Sequence, residues 1–439
     1  MRGHPSDYEA WAASGCANWG WDDVLPYFKK AEHNHHIKND YHGSDGPLQV
    51  GNRLTRDDAD QMFFEAAQKY GLPFNDDFNG ADNLGCGHFQ FAKFQEGARK
   101  GQRCSVAAAY LFPNLDRSNL HILKNALVDR IVIQDGRAIS VTGHQGKSDF
   151  SLSARAEIII CAGAFGSPVI LMRSGIGPTE HLTGHNIQPI LDNSWVGRNL
   201  QDHLQCALHF KSKDPRLMGL NPSGALDLIK AAWTWRKTGY GLATTSFTES
   251  GAFLKSSPRL HKPDLQIHFF SGIVQDHGRK LHMTRGYSGH IALLHPDSAG
   301  TVKLSSNKAH HAPTIDPNYL ATETDRQRMI HATKALSKIL YDDAFDALKP
   351  TALQQLDFDN DRDVLDYIRQ NADTAYHPVG TCKMGPENEA VVDEKLRVYG
   401  VANLRVADAS IMPQIVSGNT NAPSIMIGER AAEFIASRN

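Results

Sequence analysis

Residues 156–178 read AEIIICAGAFGSPVILMRSGIGP, and the reading of this stretch decides what kind of fold to expect. The run from Glu157 to Ala162 has the length and β-branched content of a buried strand. Small residues follow at Gly163, Ala164 and Gly166, and then a short apolar segment with a helical spacing. A strand that passes through small residues into a helix is the joint at which open α/β sheets seat ligands, just beyond the strand's carboxyl end. A membrane span is excluded here, because Glu157, Gly163, Gly166 and Pro168 interrupt the ~18 unbroken apolar residues that one requires.

On the N-terminal side, residues 119–145 hold two β-rich runs around Asp135-Gly136, a dipeptide favoured in hairpin turns. Further upstream, WDDVLPYFKKAEHN (21–34) predicts a helix with acidic residues at its start and Val24, Leu25 and Phe28 on one face. YHGSDGPLQVGNRLTR (41–56) is turn-rich around a short strand, and ADQMFFEAAQKYGL (59–72) predicts a helix closed by Gly71. On the C-terminal side the character changes between 206 and 374. An aromatic helix, LDLIKAAWTWRKTG (226–239), is mixed with alternating strands such as DLQIHFF (264–270) and GTVKLSS (300–306). A long amphipathic helix follows over 324–342, and another from Asp361 to about Ala372.

A chain of 439 residues and 48.4 kDa is long enough for at least two domains. Lys plus Arg number 46 against 48 Asp plus Glu, so the formal charge of -2 provides no basic field for nucleic acid. Six cysteines are scattered without a C-x-x-C pair, which fits reduced thiols and a cytoplasmic compartment rather than a disulfide framework. No H-E-x-x-H or paired Cys/His spacing points to a metal.

Three C-terminal segments carry chemistry. In AYHPVGTCKMG (375–385), Pro378 biases His377 to an extended backbone that fixes the direction of its imidazole. With 22 histidines in the chain, a satisfied core histidine is the competing reading. In SGNTNAPSIMIGERAAEF (417–434), amides at Asn419 and Asn421 open a helix with Pro423 near its first position. That end would favour a developing negative charge, although a simple cap by either amide would explain the residues equally well. LRVADAS (404–410) ends a strand with Asp408, able to hold a hydroxyl or to cap the next turn.

The order of these segments resembles the glucose-methanol-choline (GMC) oxidoreductases, flavoproteins that oxidise alcohols with FAD. The similarity runs through MRGHPSDYEAW, DFNGADNLGCG, GQRCSVAAAYL, GAFGSPVILMRSGIGP, VGRNLQDH, IDPNYL, HPVGTCKMG and GNTNAP. The resemblance implies an α/β (α+β) fold with an incomplete FAD/NAD(P)-binding-like domain, residues 1–205 with 375–439, and an antiparallel-sheet substrate-binding domain, 206–374. It implies His377 as catalytic histidine with Asn419 as its partner. Asp408 and Ala409 would meet the ribityl and pyrophosphate region of FAD, Asn421, Ala422 and Pro423 the pyrimidine edge, and Val128 the adenine through its backbone.

No G-x-G-x-x-G occurs, since GCGHFQ, GIGPTE and GYGLAT each lack the third glycine. The expectation is therefore an N-terminally truncated chain with weakened FAD binding and an open sheet edge. Within the family, TESGAFLKSSP, DLQIHFF and QDHGRK look more like bacterial alkanol dehydrogenases than choline dehydrogenases. The expected reaction is oxidation of a medium-chain primary alcohol to the aldehyde, with choline as the runner-up. A non-redox hydroxynitrile lyase, an inactive fragment, the electron acceptor (quinone or oxygen) and a peripheral seat at the inner membrane stay open.

Overall fold

The computed structural model describes residues 1–55 and 58–437; Arg56, the last residue of the turn-rich stretch, lies outside the described residues. Two hydrophobic cores organise the chain. The first gathers Tyr8, Trp11, Trp19, Phe28, Ile131, Ile160, Leu171, Val379, Met384, Val406, Ile411 and Met426 from segments far apart in sequence. At its centre the strand Ile158–Ile160 pairs in parallel with Leu404–Val406. Around this pair lie the helices Pro5–Ala13, Trp21–Ala31, Gly163–Arg173 and Asn421–Ala436, and an antiparallel sheet formed by 126–134, 137–145 and 148–153. The turn of its first hairpin falls on Asp135-Gly136, both with positive φ.

The strand predicted over 157–162 is shorter than expected and less buried. Leu404–Val406 is its only pairing partner among the described residues, and Ile159 is 37% exposed. One edge of this parallel pair therefore carries no further strand.

The second core lies under a sheet with the strand order 351–352, 204–212, 285–293, 265–270, 250–254, 85–88, in which 373–374 also pairs with 204–212. All of these pairs are antiparallel. Side chains alternate between the two faces of a strand, and this sheet uses the alternation fully. Cys206, Leu208, Phe210, Ile267, Phe269, Tyr287 and Ile291 turn into the core, where the helices Glu323–Leu340 and Asp361–Asn371 cover them. Gln205, Ala207, His209, His268, Phe270 and His290 face the other way and line a large cavity. The second core also takes residues from before 206, including Phe63, Phe64 and Cys86. GTVKLSS behaves differently from the sequence expectation: its strand Gly300–Lys303 joins a separate three-stranded sheet, and Val302 and Leu304 pack into the first core. Among the described residues, no helix is long and apolar enough to cross a membrane.

The covering helix approaches the sheet closely at Gly289, where a Cβ would meet Leu336 Cδ1 and Leu340 Cδ1 at 2.8 Å. Gly289→Val should therefore lower stability by about 1–3 kcal/mol through overpacking. A fall in the urea midpoint at unchanged slope is the expected result.

Candidate functional site

His377 reaches its place by backbone pairing. Residues 199–205 and 373–380 run antiparallel: Leu204 lies opposite Thr374, Ala375 N donates to His203 O at 2.8 Å, and Val379 N donates to Gln201 O at 2.9 Å. Tyr376 just before it sits at φ 65, a left-handed conformation that a bulky residue adopts only when its surroundings demand it. Gly380 just after it has φ +90, and a Cβ there would meet Asn199 O at 2.4 Å, so the chain turns away as the Val-Gly sequence predicts.

The imidazole is held at both nitrogens. Its Nε2 lies 3.0 Å from Asn419 Nδ2, and its Nδ1 lies 2.9 Å from His203 Nδ1. Asn419 is itself oriented by Gln266, whose Nε2 donates to Asn419 Oδ1 at 3.4 Å. Gln266 and His268 lie two apart on the strand Leu265–Phe270. His377 is buried, and burial followed by the neighbouring His268 pushes its pKa down to about 3. Burial likewise pushes His268 to about 4, against the hydrogen bond that it shares with Asn419. The site thus holds neutral imidazoles at ordinary pH, able to accept a proton but not charged beforehand.

Asn419, Asn421, Ala422 and His268 line the cavity of about 1600 Å³, together with Phe89, Phe91, Phe270, Val274 and Tyr376. This exceeds the ~300–1,000 Å³ of an ordinary ligand site and leaves room for a planar ring system beside a substrate. The helix Asn421–Ala436 starts in the wall of this cavity, and its N-cap, Thr420, makes no side-chain cap hydrogen bond. Asn419 is committed to His377 and Gln266 rather than to the helix start, and the first N–H groups, at Asn421 and Ala422, receive no side-chain cap from Thr420. The ring end of the flavin implied by the sequence resemblance fits this arrangement: a helix terminus with unclaimed donors suits an electron-rich edge.

The other residues assigned to the cofactor stand elsewhere. Pro423 is buried in the first turn of that helix. Asp408 closes the start of the helix Gly163–Arg173: its Oδ2 accepts from Gly163 N at 2.9 Å and Ser167 Oγ at 2.5 Å, and its Oδ1 accepts from Ser410 N at 2.8 Å. Ala409 O accepts from Gly380 N at 3.3 Å. Val128 lies in the outer hairpin, where its carbonyl accepts from Arg173 Nη2 at 3.2 Å. These contacts already engage the cap and the carbonyl within the protein.

The sequence reading did not assign His203, Gln266, His268 or Asp202 to the site. A signal was present in each case. QDH is a polar triplet opening a buried strand, and LQIHFF places Gln266 and His268 at alternate positions of an otherwise apolar strand.

Comparison with known proteins agrees with this geometry. Two family models, each described as GMC oxidoreductase, match residues 1–205 and 296–428. Because the N-terminal model is matched over residues 1–205, the expectation of a truncated chain finds no support there. The chain is 38% identical to an alcohol dehydrogenase [acceptor] of Pseudomonas putida over 99% of its own length and 79% of that protein's. It is 37% identical to the mitochondrial choline dehydrogenase of Mus musculus over 99% of its length and 72% of that protein's. Among solved structures, pyridoxine 4-oxidase from Mesorbium loti superposes with a TM-score of 0.87 at 29% identity, covering 100% of this chain and 82% of that one. With both halves matched, the chain belongs to the GMC oxidoreductase family.

Proposed function

We propose that this oxidoreductase converts a neutral primary alcohol of medium chain length to its aldehyde, with His377 as the base and Asn419 as the group that holds the oxygen. The observation that carries the reading is the 3.0 Å contact between Nε2 of His377, a buried neutral imidazole, and Nδ2 of Asn419, which lines a partly apolar cavity. An alcohol entering between the two groups would displace their direct contact, so that His377 Nε2 would accept the hydroxyl proton and Asn419 Nδ2 would donate to the oxygen as negative charge develops on it. FAD, the cofactor of GMC oxidoreductases, supplies when bound the acceptor for the hydride that leaves the α-carbon. Asn421 and Ala422 would hold its ring end.

Cavity charge favours a neutral alcohol over choline. A quaternary ammonium gains from an uncommitted carboxylate as well as from aromatic faces, of which Phe89, Phe91, Phe270 and Tyr376 line this cavity, so the carboxylates are what supports the neutral alcohol. Among the described residues, the carboxylates lining the cavity are already paired: Glu32 with Arg2 at 2.6 Å, Asp276 with Arg279 at 2.6 Å, and Asp373 with His277 at 2.5 Å. Initial rates with a dye acceptor should favour an aliphatic primary alcohol over choline, and a clear preference for choline would overturn the substrate choice. Turnover without reduction of the dye would move the reading to non-redox chemistry. His377→Ala should lower kcat by about 10²–10⁴, and Asn419→Ala by about 10²–10³.

The same buried imidazoles set the pH dependence. With His377 held near 3, kcat/KM should show no acid limb near pH 6.5. In the unfolded chain histidines titrate near 6.5, whereas folded His268 and His295 stay neutral to about 4 and His377 to about 3. Between those values the unfolded chain binds the extra protons, so stability is full above pH 6.5 and falls as pH drops toward 4, by up to ~1.4 kcal/mol per pH unit for each group. Urea titrations at stepped pH would measure this decline.

A peripheral seat on an anionic membrane is supported by the helix Pro222–Thr238. It exposes Leu226, Ile229 and Trp233 at 57%, 69% and 65%, with Leu281 and Met283 also exposed at 64% and 70%. Lys230, Arg236 and Lys237 are exposed on the same helix, and Lys237 Nζ lies 3.4 Å from the centroid of the Trp233 ring. Exposed apolar side chains with basic neighbours suit an anionic lipid surface. Trp235 on this helix and the nearby Phe247 line the cavity, so such a seat would open the site toward lipid and favour a quinone acceptor over oxygen. Sedimentation with anionic vesicles should capture the protein at low salt, and the double variant Ile229→Ser with Trp233→Ser should stay in the supernatant.

A further inference from the structure

His203 does not itself line the cavity, yet its hydrogen bonds decide which nitrogen of His377 carries the proton. Its Nε2 lies 3.1 Å from Leu294 O. A carbonyl can only accept, so His203 Nε2 carries a hydrogen. His203 is 0% exposed, and a charged imidazole there would lack solvation, so the ring holds one hydrogen only. Its Nδ1 is therefore bare. That bare nitrogen lies 2.9 Å from His377 Nδ1, which must donate. A neutral His377 with hydrogen on Nδ1 has a bare Nε2, and Asn419 Nδ2 donates to it at 3.0 Å. The amide cannot be reversed without cost, because Asn419 Oδ1 accepts from Gln266 Nε2 on its other side. Three distances thus admit one arrangement, a chain that runs from the Asn419 amide through both rings to the Leu294 carbonyl. The alternative tautomer of His377 would set two bare nitrogens against each other at hydrogen-bond distance.

We propose that His203 is a positioning residue whose bare Nδ1 fixes His377 in the tautomer that presents an unprotonated Nε2 to Asn419 and the substrate. The proposal deepens the reading of His377 as base and rests on it for the effect on rate, but the tautomer can be observed without turnover. The geometry is held from the backbone as well: the N–H groups of His203 and His377 both donate to Asp202 Oδ1 at 2.9 Å. The two rings stand at 83° with centroids 5.1 Å apart, so the Nδ1 contact is made edge to edge rather than by stacking.

The test uses protein labelled with ¹⁵N-histidine, in which two-bond nitrogen–proton correlations distinguish the two tautomers. The His377 signal is assigned by its loss in His377→Gln. Wild type should show the Nδ1–H form for His377 and the Nε2–H form for His203. His203→Leu removes the acceptor and should convert His377 largely to the Nε2–H form, with kcat reduced roughly 10²-fold or more while KM stays within about threefold. His203→Asn returns an acceptor oxygen near the lost Nδ1 and should restore the Nδ1–H form and most of kcat. A wild-type His377 in the Nε2–H form, or an unchanged Nδ1–H form in His203→Leu, overturns the proposal. The wild-type spectrum decides even where a variant does not fold. If the tautomer switches in His203→Leu and kcat does not fall, the positioning stands, and the assignment of His377 as base is what fails.

Discussion

One carboxylate holds the site together. Asp202, itself 6% exposed, accepts from the backbone N–H of His203 and of His377, each at 2.9 Å, and from the hydroxyls of Tyr319, at 2.5 Å, and Thr374. It therefore joins the start of the strand Leu204–Ser212, the segment entering His377, and the turn ahead of the helix Glu323–Leu340. Burial pushes its pKa up, and the four donors pull the other way. A buried carboxylate is tolerable when its lone pairs are filled in this way, and the hydrogen bonds it receives are stronger than neutral ones. The site's precision thus depends on main-chain anchoring as much as on side chains.

The seven-stranded sheet converts that local clamp into a chemical environment. Its alternation sends one set of side chains into an apolar core and the opposite set into the cavity, so a single sheet supplies both support and wall. Buried histidines on the cavity face are neutral for the same reason that the core is stable: the surrounding protein excludes the water that would solvate a charge. Support and reactivity therefore have one physical origin.

The sequence disclosed this arrangement unevenly. Long periodic helices and the Asp135-Gly136 hairpin were legible because their signals are local. The pairing of His377 with Asn419 was expected only through the family resemblance, and the structure sets the two side chains 3.0 Å apart. His203 and Gln266 carried no such expectation, since the groups they bond lie 174 and 153 residues away. Asp408 accepts from Gly163, Ser167 and Ser410, the kind of local capping that its place after a strand also allowed. The strand at Ile158–Ile160 was read as buried from composition alone, but burial depends on neighbours, and one pairing strand leaves Ile159 partly exposed. The proposed preference between alcohols rests on the pairing of each cavity carboxylate, which no linear pattern contains.

The wide spacing along the chain of the hydrogen-bonded histidines also bears on how the protein is made. His203 and His377 are separated by 174 residues, His203 and Leu294 by 91, and His377 and Asn419 by 42. On the ribosome, the strand bearing His203 emerges long before either of the groups that define its ring, and the helix beginning at Asn421 emerges last of all. Such non-local pairing slows folding and leaves intermediates in which apolar sheet surface waits for its cover. Nascent chains of this fold would therefore lack the assembled histidine–amide network until the helix beginning at Asn421 has been made.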